Sequence, residues 1–101
     1  MNAEEIENDT NKIKFVSLTK KLDKYFKLTE EALAKIKSAD SEEAKEFLDT
    51  AQRYFSDAQY FRQKGDLLTA LAAVSYAHAW LDAGAKLGFF DVNDNRLFCV
   101  E

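Results

Sequence analysis

Across its 101 residues the chain contains no proline and only three glycines, at positions 65, 84 and 88. Hairpins, sandwiches and barrels need turn residues at short intervals between strands, and a chain with this little punctuation does not supply them. Ala, Leu, Lys and Glu are abundant instead, all of them good helix formers. The length suits one domain with one core and is too short for a two-domain enzyme. An all-helical domain is therefore the expectation.

The hydrophobic pattern divides that domain into three helices. From Asn11 onward, steps of about 100° per residue place Phe15, Leu18, Leu22, Tyr25, Phe26, Thr29, Leu33 and Ile36 in one sector. The spacing predicts a long amphipathic helix over 10–38, with Thr10 or Asp9 as N-cap and an end at the Ser38-Ala39-Asp40-Ser41 cluster. Asp40 and Glu43 read as a capping box for a second helix over 41–64, whose stripe is Ala44, Phe47, Leu48, Ala51, Tyr54, Phe55, Ala58 and Phe61. Lys64-Gly65-Asp66 then supplies a cation for the last turn, a glycine to end it and an N-cap for a third helix.

That third helix, over 67–87, is apolar nearly all round. Leu67, Ala70, Leu71, Val74, Ala77 and Leu81 lie on one side, and Ala72, Tyr76, Ala79, Trp80, Ala83 and Leu87 on the other. Such a helix must be covered on more than one face. The cover would be either the tail Phe89, Phe90, Leu97, Phe98 and Val100 folding back through a turn at Asn93-Asp94-Asn95, or a second chain. Trp80 is expected to be buried against the first helix or that tail. Gly84 allows close approach and Gly88 termination. The expected organisation is a mobile acidic arm over 1–9, an up-down-up three-helix bundle over 10–88, and an apolar tail over 89–101 docked on the bundle.

Charge is zoned. Residues 1–9 carry four acids and no base, whereas residues 10–37 carry eight Lys against three acids, within a chain of net charge −4. The acidic start has none of the basic-then-apolar character of a secretory signal, and the single Cys99 has no internal disulfide partner, so a reducing cytoplasm is expected. The uncharged run from Leu67 to Leu81 is too short to span a bilayer, so no membrane role is expected.

Candidate chemistry is sparse. Ser75, His78 and Asp82 share one side of the third helix and invite a nucleophile, base and orienter reading. A single straight helix offers no oxyanion hole, however, and the simpler expectation is that His78 bonds Asp82 or a carbonyl of a neighbouring helix. One His, a distant Cys and scattered carboxylates match no metal-ligand spacing, and the glycines stand in no phosphate-binding turn. No metal or cofactor is expected. Lys20, Lys21, Lys24 and Lys27, away from the apolar stripe of the first helix, would suit a nucleic-acid backbone, but Arg, the residue of phosphate and base forks, is scarce. Tyr60 stands opposite the stripe of the second helix, where a large aromatic covers a loop or meets a partner.

Residues 54–87 carry two resemblances. As a hairpin, Tyr54, Ala58, Phe61, Gly65, Ala70, Val74 and Ala77 resemble one tetratricopeptide-type repeat, with Asp57 where that motif prefers Leu, Asp82 where it prefers Pro, and no second copy. More specifically, Tyr54-Phe55-Ser56-Asp57-Ala58, Lys64-Gly65-Asp66, the string from Ser75 to Gly84 (Ser-Tyr-Ala-His-Ala-Trp-Leu-Asp-Ala-Gly) and Leu87-Gly88-Phe89-Phe90-Asp91 resemble the domain-of-unknown-function family 357. That resemblance implies a small three-helix bundle from an archaeal source and carries no activity. Ribonuclease bundles of the higher-eukaryote-and-prokaryote nucleotide-binding kind are similar in outline, but they need an Arg a few residues from the His, and none precedes His78 within a dozen residues. The expected function is a non-catalytic protein–protein interaction or scaffold module, its partner an unidentified protein or a second copy, with Tyr60, Tyr76, Trp80, His78 and Asp82 as contact candidates. The alternative is a nucleic-acid accessory protein using the Lys face. An enzyme built on His78 and Asp82 ranks third.

Overall fold

A computed structural model describes residues 3–99, with side chains from Asp9 onward. Three helices, α1 (Ala3–Lys35), α2 (Glu42–Gln63) and α3 (Leu67–Lys86), run up, down and up, and no strand occurs among the described residues. None of the helices is long and apolar enough to cross a membrane.

The ends of the helices obey local chemistry, with three departures from expectation, the first being that α1 stops at Lys35, short of Ser38. Helix α1 is helical from Ala3, so Asp9 and Thr10 lie inside it and neither is its N-cap. Residues 3–9 of the expected arm continue the helix, since low apolar content leaves helical propensity intact, while residues 1–2 of that arm and 100–101 of the expected tail lie outside the described residues. At the start of α2 the N-cap is Ser41 and not Asp40: its backbone is extended and its hydroxyl accepts from the Ala44 N–H at 3.0 Å. Ser, the shorter side chain, stands directly before two glutamates at the positive end of the dipole. Helix α3 is capped by Asp66, which accepts from the Thr69 N–H.

The two later helices end alike. Gly65 and Gly88 adopt φ of +80° and +78°. The N–H of Asp66 reaches the Phe61 carbonyl and that of Gly65 the Arg62 carbonyl; Phe89 and Gly88 repeat the pattern on Gly84 and Ala85. Both ends are thus Schellman motifs, in which glycine takes the left-handed position without a Cβ penalty.

Helix α3 is the shared element, packed most extensively on α2 and less on α1. Near the α2–α3 turn, Leu22 and Phe26 of α1 meet Phe55 and Ala58 of α2 and Ala70, Val74 and Ala77 of α3. Toward the other end, Ala32, Ala44, Ala51, Leu81 and Ala85 form a second cluster that the tail completes with Phe90, Leu97 and Phe98, each at most 3% exposed. Small residues bring the helix axes close, and the three large tail side chains fill the space that remains. The tail reverses at Asp94, whose carbonyl accepts from Leu97 and Phe98 while its carboxylate accepts from the Arg96 N–H.

Helix α1 is longer than its partners. At about 1.5 Å per residue its 33 residues reach roughly 50 Å, against about 30 Å for α3. The molecule measures 60 × 26 × 17 Å accordingly. Among the described side chains the first buried one of α1 is Leu22; Asp9 through Ser17 are all exposed. Phe15, expected on the packed stripe, is 60% exposed because the bundle has ended before the helix reaches it.

Candidate functional site

The feature that organises the centre of the molecule is His78. Its Nε2 lies 2.7 Å from the Leu97 carbonyl and its Nδ1 3.0 Å from the Thr29 hydroxyl. A carbonyl only accepts, so Nε2 carries the proton toward Leu97, and in the neutral ring Nδ1 accepts from Thr29. One imidazole thereby joins α1, α3 and the tail. Thr29 is 0% exposed, the one buried polar residue among those described, and this bond satisfies it.

Asp82 does not bond His78. Its Oδ1 stands 3.6 Å from Nε2 and accepts instead from the Cys99 N–H at 3.0 Å. The expected partners of the histidine were Asp82 or a carbonyl of a neighbouring helix; the carbonyl belongs to the tail, and Asp82 anchors the tail one turn further on. Ser75 completes no triad either, because its hydroxyl donates to the Leu71 carbonyl of its own helix at 2.8 Å. A general base needs a ring nitrogen facing its substrate, and both nitrogens of His78 are held by the fold.

Beside this centre a groove of about 280 Å³ runs between α1 and α3, lined by Tyr25, Leu28, Ser75, His78, Ala79 and Asp82. Its α3 wall opens onto a face that the other described residues leave largely exposed. Leu68, Tyr76 and Leu87 are 71%, 60% and 61% exposed, and Ala72, Ala79 and Ala83 lie among them. At about 100° per residue these six positions fall within a sector of roughly a quarter turn. The expectation that α3 must be covered on more than one face is thus met only in part. The tail covers the side facing α1, and the outer side stays open.

The remaining sequence candidates are scattered. Trp80 is half-buried beside the second cluster and packs edge-on against Phe47 of α2 at 4.9 Å, a partner the expectation did not name; Phe47 in turn meets Phe89 at 5.0 Å. The helix rotation that turns Ala77 and Leu81 to the core carries Trp80 round toward α2. Tyr76 lies 5.5 Å from Tyr54, and Tyr60 is exposed at the far end beside Phe61 and beneath the Lys64 ammonium. Lys20, Lys21, Lys24 and Lys27 are exposed; three of them border a shallow depression with Asp23 and Leu28. Asp23 is ion-paired to Arg62, whose guanidinium also lies over the Phe26 ring at 4.6 Å, tying α1 to α2. At the tail, Arg96 bonds Glu31 at 2.7 Å, and that bond holds its guanidinium above its ordinary range. Among the described residues no three His, Cys, Asp or Glu side chains converge as a metal site would require.

Sequence reasoning did not find the Thr29 to His78 to Leu97 chain or the Arg62 clamp. The available signal for the first was a lone hydroxyl in an apolar stripe. For the second there was none, because an ion pair between residues 39 apart has no local signature.

A short three-helix bundle with its tail folded into the core, fastened by a central histidine, is the class of protein that fold and site define. The family described as Protein of unknown function (DUF357) matches residues 24–90, and the chain belongs to that family. No curated protein matches the chain. No solved structure matches it.

Proposed function

We propose that this chain is a non-catalytic protein-binding module that receives an amphipathic helix of its partner along the open face of α3. The observation that carries this reading is the exposed stripe of Leu68, Tyr76 and Leu87 with Ala72, Ala79 and Ala83 between them. Large side chains at the ends and middle offer anchors, and the alanines let a second helix approach closely, the usual arrangement of helix-in-groove recognition. His78 and Asp82 line the adjoining groove and hold the tail in place beside it. The single exposed thiol of Cys99 suits a reducing compartment such as the cytoplasm.

The test is affinity capture from extract of the source cells with the intact chain, and then binding of the purified captured protein. Tyr76→Glu and Ala79→Glu are expected to abolish that binding, Ala79→Glu with little change in melting temperature because its side chain is exposed and Tyr76→Glu with the added loss of its ring contact to Tyr54. Binding unaffected by either variant would remove the α3 face from the reading.

A second reading, contact with nucleic acid, rests on Lys20, Lys24 and Lys27 gathered around one depression of α1. Asp23 in the same depression and Glu30 and Glu31 beyond it weaken the field. Binding to a single-stranded RNA oligonucleotide that falls steeply with salt and is lost on changing the three lysines to Glu would favour it over the first.

A further inference from the structure

We propose that two copies of the chain associate through the projecting half of α1, side by side and antiparallel, on the face of that helix turned away from the bundle. This surface is separate from the α3 face and does not depend on it. Asp9, Ile13, Val16 and Lys20 succeed one another at spacings of four, three and four residues. At about 100° per residue they lie within one sector roughly 60° wide, opposite the sector of Leu22, Phe26 and Thr29 that meets the core. All four are exposed, Ile13 at 70% and Val16 at 50%, on a stretch of helix beyond the end of the bundle. A seam at that spacing is the pattern by which two helices pair along their length.

The charges decide the occupant and its direction. In an antiparallel pair related by a two-fold axis, residue i meets residue j and j meets i. The register that sets Ile13 against Val16 of the other copy also sets Asp9 against Lys20, so two apolar contacts are flanked on both sides by opposite charges. A parallel pair would stack acid on acid and lysine on lysine. The zoning that divides α1 into an acidic and a basic half is thus self-complementary only when the second copy runs the other way. Lys20, Lys24 and Lys27, which continue that face toward the bundle, are exposed.

Sedimentation equilibrium of the full chain tests this directly. A dimer is expected that weakens in high salt, as an exposed charged seam must. Val16→Glu should weaken it at least tenfold with the helical melt unchanged. Asp9→Lys and Lys20→Glu should each weaken it, and the two together in one chain should restore it, because the swapped pair is again of opposite sign. A parallel dimer would not respond in that way: each single change leaves like facing like. A chain whose self-association is weaker than about 1 mM, or a dimer indifferent to Val16→Glu, or singly substituted chains that associate as well as the parent, would each overturn the proposal.

Discussion

The ring of Phe90 lies in the notch that Gly84 leaves on α3, so close that a Cβ at position 84 would stand 2.2 Å from its Cε2. Both residues are buried, and the contact is where the tail enters the core. Replacing Gly84 by Ala gains helix propensity of about 1 kcal/mol, but overpacking a buried ring costs about 1–3 kcal/mol, and the net effect is expected to be destabilising. The double variant Gly84→Ala, Phe90→Ala should lose less than the sum of the two single changes. Strict additivity in thermal melts would mean that the ring does not occupy the notch.

Thr29 and His78 form one unit. Thr29→Val removes the donor to Nδ1 while keeping shape, and His78→Gln removes the ring that joins three segments. Each is expected to cost about 1 kcal/mol, the scale of a buried hydrogen bond with its desolvated partner left over. Their combination should cost clearly less than the sum, because the second change breaks a bond already lost. His78→Gln should also leave binding at the α3 face largely intact. Full stability with binding lost in that variant would place the histidine on the functional surface.

Gly65→Ala should lower stability by about 1 kcal/mol, since φ of +80° puts any Cβ in a strained backbone region although nothing crowds the site. Gly65→Asn should cost less, as Asn tolerates that conformation better. Equal melting temperatures for the Ala variant and the parent would contradict a left-handed residue at the end of α2.

Removing residues 89–101 strips Phe90, Leu97 and Phe98 from the second cluster and takes the acceptor of His78 with them. Burial of each such side chain contributes about 1.5–3 kcal/mol, and together they approach the whole stability of a domain this size. The truncated chain is expected to melt far lower, with less cooperativity, and with Trp80 emission shifted to the red through loss of Phe89 behind Phe47. An unchanged melt and emission maximum would show that the tail is not part of the core.

Much of this molecule is decided by residues near one another in the chain. The absence of proline and the helical spacing of Leu22, Phe26 and Thr29 specify helix. Gly65 and Gly88 specify where α2 and α3 stop, and the apolar Phe90, Leu97 and Phe98 around a turn signal specify a tail that must return. These are legible because capping, periodicity and positive φ act over a turn or two. The tertiary structure decided what depends on how the helices are rotated against each other. It set Thr29 and the Leu97 carbonyl on either side of the His78 ring and moved Asp82 from the histidine to the backbone of Cys99. It turned Trp80 toward Phe47, fitted Phe90 into Gly84, and left Leu68, Tyr76 and Leu87 open to solvent. Such contacts join residues on different helices or on a helix and the tail, and a rotation of one helix by a single residue step would exchange them; no local pattern encodes that rotation, only the packing of the whole core.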